Sequence, residues 1–79
     1  MKDLINTASL TKHIKDKGQI KASAIFQENS GGHTLEVNID NETLVLSTWR
    51  SNRPRLFKRA DALLGEAKKM GLLNVNFEL

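Results

Sequence analysis

Cysteine is absent from this chain. That excludes disulfides and takes thiolates out of any metal site. Long apolar runs are also missing: none approaches the roughly 18–20 residues that a membrane-spanning helix needs. Histidine occurs only at His13 and His33, 20 positions apart and without the close carboxylates that a metal site uses. Both are expected at the surface. Gly31–Gly32 is not followed by Lys and Ser or Thr, so it is no phosphate loop. No pair of carboxylates and no Ser-His-Asp set has recognisable spacing. With 79 residues there is one expected domain, 1–79, and little room for a second cleft-forming layer. The expectation is a non-enzyme with no catalytic residue, no metal and no cofactor.

Cationic residues are missing from a long internal stretch. Between Ala22 and Trp49 there is no Lys or Arg, while Glu28, Glu36, Asp40 and Glu42 are all there. Proline occurs once, at Pro54, and tryptophan once, at Trp49; Tyr does not occur. What is present is concentrated to match. All four arginines fall between Arg50 and Arg59, in the stretch TWRSNRPRLFKRADALL that also holds the only Trp and Pro. Lys12, Lys15, Lys17 and Lys21 make a second basic group. The net charge of +3 is mild, but its uneven distribution points to an anionic partner. The opening MKDLINTASL carries an early acid and no apolar core, unlike a secretory signal. A cysteine-free chain suits a reducing compartment, so a cytoplasmic location is expected.

The hydrophobic period changes several times along the chain. Thr7 to Lys17 reads as a helix, with Ser9 or Thr7 as cap, Leu10 and Ile14 on one face, and Gly18 as the stop. Leu4 and Ile5 extend it or pack just before it. From Gln19 to Gln27 the period is two, with Ile20, Ala22, Ala24 and Phe26 on one side. ENSGG is turn chemistry. His33 to Asp40 alternates again, with Leu35, Val37 and Ile39 inward. Asp40–Asn41 suits a tight hairpin, because both residues tolerate positive φ. Thr43 to Trp49 is a third strand, with Leu44 and Leu46 inward. Pro54 is placed for the first turn of a second helix. Leu56, Phe57, Ala60, Leu63, Leu64, Ala67 and Met70 form its apolar stripe, and Gly71 ends it. Val75, Phe77 and Leu79 point inward from a last strand. The expected fold class is α+β: a two-layer sandwich of order α-β-β-β-α-β, with a mainly antiparallel sheet and both helices on one face. A parallel last strand would require a helical crossover.

In that layout Trp49 shares the uncovered sheet face with Ile25 and Val45. Arg50, Arg53, Arg55, Lys58 and Arg59 gather at the start of the second helix, whose free N–H groups favour anions. A stacking aromatic beside cations is the pairing used for single-stranded nucleic acid. The predicted site is therefore Trp49, Arg50, Arg53, Arg55, Lys58 and Arg59. Trp49 as a packing residue under the arginine stems is the plainer alternative. Glu36 and Asp40 on the open face oppose phosphate unless binding uses only one end of the molecule.

Residues 46–79, LSTWRSNRPRLFKRADALLGEAKKMGLLNVNFEL, resemble the C-terminal pattern of small plasmid-encoded partition-associated proteins of the ParC-like kind. The matching residues are Arg55, Phe57, Asp61, Ala62 and Gly71. That resemblance implies a maintenance role on a plasmid or other mobile element. The α-β-β-β-α order, the segment GGHTLEV and a basic second-helix start are also similar to the double-stranded-RNA-binding domain, a fold without the final strand seen here. Two readings follow. One is an accessory protein that binds DNA or RNA through the basic cluster. The other is an adaptor or regulator that binds a protein or itself, through complementary charge or open sheet edges.

Overall fold

The computed structural model describes residues 3–48 and 53–78. Its elements are β1 (Asp3–Ile5), α1 (Thr7–Lys17), β2 (Lys21–Gln27), β3 (Gly32–Ile39), β4 (Glu42–Leu46), α2 (Ala60–Met70) and β5 (Asn76–Glu78). The strands form one five-stranded sheet in the order β1-β4-β3-β2-β5. β2/β3 and β3/β4 pair antiparallel, whereas β1/β4 and β2/β5 pair parallel. The domain is thus α+β with a mixed sheet: the expected antiparallel pairing holds in the central β2-β3-β4 part, and both edge strands pair parallel. Each parallel edge strand is reached through a helix, since parallel strands cannot be joined by a tight turn.

Local chemistry explains the elements. Asn6 caps α1: its side-chain oxygen accepts the Ser9 N–H at 2.7 Å. Asn6 takes this role because its backbone is extended while Thr7 and Ser9 are already helical. Asp40 and Asn41 turn the β3–β4 hairpin with φ of 52° and 68°, as a two-residue turn of this hand requires. Gly71 closes α2 in the left-handed region, its N–H donating back to Ala67 and Lys68 carbonyls.

The register puts one set of side chains on one sheet face. Ala22 lies opposite Val37, Ala24 opposite Leu35, and Val37 opposite Leu44. These residues, except the partly buried Leu44, are buried in a single cluster with Ile39, Leu46, Leu10 and Ile14 of α1, and Leu63, Ala67 and Met70 of α2. Each fully buried leucine here contributes about 1.5–3 kcal/mol through loss of apolar contact with water.

Several expectations differ from this structure, among them Leu64, expected in the apolar stripe of α2 but 44% exposed. Leu4 and Ile5 do not extend the first helix; they lie just before it, as a strand. Three residues are too few to show a period, and only the partner β4, with Ile5 beside Leu46, makes them a strand. β4 ends at Leu46 rather than Trp49, because Ser47 donates to the Ile5 carbonyl and bridges Pro54. α2 starts at Ala60, so Pro54 is not in its first turn and Leu56 and Phe57 are not on it. The backbone of this stretch is used by the sheet instead. Arg55 N–H donates to the Leu46 carbonyl at 2.8 Å, and Phe57 and His33 exchange two hydrogen bonds of 2.8 Å each. Finally, Phe77 is 41% exposed because β5 is an edge strand; Leu79 lies outside the described residues.

Gly32 permits the approach of residues 56–57. A Cβ built there would sit 2.8 Å from the Phe57 carbonyl oxygen and 3.0 Å from Leu56 Cγ. Gly32→Ala is expected to destabilise the fold by about 1–3 kcal/mol, the usual cost of overpacking. Gly65, inside α2, meets nothing within 4 Å, so Gly65→Ala is expected to stabilise by about 0.5–1 kcal/mol through backbone entropy. Urea unfolding of the two variants against the parent checks both signs.

Candidate functional site

The sheet face away from the helices is not bare. Val45 lies beside Glu36 on it and is only 6% exposed, and Thr34, opposite Ile25, is 7% exposed. The 53–57 segment supplies the cover. Since Phe57 is buried on the helix side, Leu56 turns to the other face, where it meets the strand residues. The result is an open cleft of about 400 Å³ lined by Gln27, Ser30, Thr34, Glu36, Val45, Arg53, Pro54 and Leu56. That volume lies toward the lower end of ligand clefts.

The cleft has a definite chemistry. Val45, Pro54 and Leu56 give it apolar wall. Gln27 Nε2 donates to Thr34 Oγ1 at 3.1 Å. This leaves Gln27 Oε1 as an acceptor and the Thr34 hydroxyl proton as a donor. Arg53, exposed, stands at the margin. Its carbonyl accepts the Thr48 N–H at 3.0 Å. Trp49 and Arg50, two of the predicted site residues, lie outside the described residues.

The other predicted cations do not form one patch around a helix start. Arg55 belongs to the helix side: its Nη1 is 3.7 Å from Glu66 Oε2, and its guanidinium carbon sits 4.8 Å from the Phe57 ring centre. With Phe57, Ala62, Gly65, Glu66 and Lys69 it lines a separate groove against α2. Arg59 caps α2 without a side-chain cap bond, and its Nη2 lies 3.0 Å from Asp61 Oδ2. Asp61 Oδ1 accepts the Ala62 N–H at 3.0 Å. A carboxylate therefore already occupies the helix start that was expected to attract phosphate. Among the described residues, Arg53 and Lys58 are the members of the predicted set without an acid partner.

The cleft residues other than Arg53 were missed as a group. Val45 carried the available signal, as an apolar residue on an otherwise polar face. His33 was expected at the surface and is instead half-buried, packed edge-on between Phe26 (5.3 Å) and Phe77 (5.6 Å), with Nδ1 buried and without a hydrogen-bond partner. Among the described residues no group of three His, Asp or Glu is arranged to hold a metal ion.

The acidic hairpin is partly neutralised. Lys17, at the end of α1, donates to Asp40 Oδ1 at 2.8 Å. This hydrogen bond first, and the lysine charge second, hold the Asp40 carboxyl below the ordinary aspartate range. A carboxyl lowered on folding adds stability above its unfolded pKa, and that contribution fades as pH falls through the folded value. In an NMR titration Asp40 is expected to titrate below an ordinary aspartate, and Lys17→Met to move it upward. An unmoved midpoint would mean that Lys17 is not the cause.

No protein-family model, no curated protein and no solved structure matches the chain.

Proposed function

We propose that this protein is a non-enzymatic binding module for single-stranded nucleic acid, taking an unstacked base into the open-face cleft and the adjoining phosphates onto Arg53 and Lys58. The observation that carries the reading is the position of Arg53. It is an exposed cation without an acid partner among the described residues, lining a cleft that combines apolar wall from Val45, Pro54 and Leu56, a donor and an acceptor on Thr34 and Gln27, and the Glu36 carboxylate, which keeps phosphate to the Arg53 side. An unstacked base has apolar faces and an edge of donors and acceptors, so it suits both features. A duplex hides those faces, which favours a single strand. Trp49 and Arg50 follow Thr48 directly in the chain, and the sequence supports a stacking and a phosphate role for them. The mild positive charge supports the same class of partner.

The resemblance of residues 46–79 to plasmid partition-associated proteins supports an accessory role on a mobile element, in the cytoplasm. The similarity to double-stranded-RNA-binding domains receives less support. The helix start that would meet a duplex phosphate carries Asp61, and β5 adds a strand that fold does not use.

Titration with short single-stranded DNA, double-stranded DNA and double-stranded RNA tests the reading, followed by Trp49 emission at low and moderate salt. Salt-sensitive quenching by the single strand is expected. Arg53→Ala and Lys58→Ala should each weaken binding and take about one unit from the salt slope, because each phosphate contact releases a counterion. Arg59→Ala, whose charge is already held by Asp61, should change it less. No binding to any of the three at low salt sinks the proposal.

A further inference from the structure

The described surface carries three large exposed hydrophobic side chains: Leu64, 44% exposed, Leu73, 77% exposed, and Phe77, 41% exposed. All three border one edge of the molecule. Leu64 and Leu73 line a single groove of about 240 Å³ with Ala67, Lys68, Leu72 and Val75. Phe77 follows Val75 by two residues, and its register opposite Ala24 puts it on the same sheet face as the helices. The edge itself is β5, which among the described residues pairs with β2 alone, leaving one side of its backbone open. An open strand beside exposed apolar side chains is a template for another strand.

The charges around this edge say what that strand is. α2 begins beside the start of β3, because Phe57 pairs with His33, and it ends at Gly71, whose carbonyl accepts from Gln19 just before β2. β5 runs back parallel to β2 and ends with Glu78 beside Ile25, near the same end as the α2 start. Asp61 and Glu78 therefore mark one end of the edge, and Lys68, with Leu73, marks the other. Asp61, Leu64 and Lys68 follow one another at helical spacing along the outer flank of α2. A half-turn rotation superimposes acid on base. Strand polarity agrees: an antiparallel pair centred on Phe77 sets Asn76 against Glu78 of the second copy, while parallel in-register pairing would set Glu78 against its own kind.

We propose that two copies of this chain pair antiparallel through β5. The two Phe77 side chains meet at the axis, Leu64 and Leu73 are covered, and Lys68 of each copy faces the Asp61–Glu78 end of the other. The contact is isologous and closes at two copies. It uses none of the residues that line the open-face cleft, so it stands or fails independently of the nucleic-acid reading.

Sedimentation equilibrium on the whole chain tests it. The parent is expected to dimerise reversibly at high micromolar concentration, as suits a small interface. Leu73→Lys and Leu64→Lys should each weaken the dimer by about tenfold or more. Both positions are exposed, and circular dichroism should show the parent fold. Lys68→Asp should weaken the dimer, and adding Asp61→Lys to it should restore most of the loss, because the two signs are then exchanged. A parent that remains monomeric at millimolar concentration overturns the proposal. So does a dimer indifferent to Leu73→Lys, or a double variant no better than Lys68→Asp alone.

Discussion

The hydrogen bonds between Phe57 and His33 are the contact on which the rest of this arrangement depends. They draw the 53–57 segment onto the start of β3, at 2.8 Å in each direction. With the bonds of Thr48 to Arg53 and of Arg55 to Leu46, that attachment delays α2 to Ala60 and turns Leu56 over the sheet face that the helices do not cover. It also buries Phe57 in the core while its neighbour faces the opposite way. Gly32 stands behind it, since any side chain there would meet the Phe57 carbonyl. Backbone pairing of this kind outweighs helix propensity because unpaired polar groups on a half-buried strand are costly.

The same attachment separates the arginines. In the sequence they form one cluster, and a helix starting near Pro54 would have displayed them together. Because residues 53–57 run along the sheet instead, Arg53 borders the open-face cleft, whereas Arg55 reaches Glu66 and the Phe57 ring on the helix side. Arg59 is left at the helix start with Asp61. Exposed pairs such as these add little stability, but they reduce the local field that an anion would meet. The charge asymmetry visible in the chain is thereby narrowed, in space, to a smaller surface with more specific chemistry beneath it.

The cleft and the β5 edge lie in different parts of the domain and present different chemistry. The cleft combines apolar wall, a Gln27–Thr34 hydrogen bond, the Glu36 carboxylate and one bordering cation. The edge combines open backbone with exposed apolar side chains and charges of both signs at its two ends. If the cleft takes a strand of nucleic acid and the edge a second copy, as proposed, two linked copies would gain affinity through effective concentration.

Much of the local structure was legible in the chain. The helix over residues 7–17, the alternation in β2 and β3, the Asp40–Asn41 turn and the Gly71 stop each rest on interactions within a few residues. The apolar period of α2 was legible from Leu63 to Met70, and so was the burial of Leu35, Val37 and Leu46. The strand identity of Leu4 and Ile5, the parallel pairings at both edges, the end of β4 and the late start of α2 depended on partners distant in sequence. So did the cleft, because Thr34, Val45 and Leu56 have no common period and meet only when the returning segment lies across the sheet. Short-range chemistry therefore determined which segments are helix, strand or turn, and where charge is concentrated. Tertiary structure alone decided which backbone groups pair across the sheet, and through them which of the arginines face a cavity and which are held by an acid.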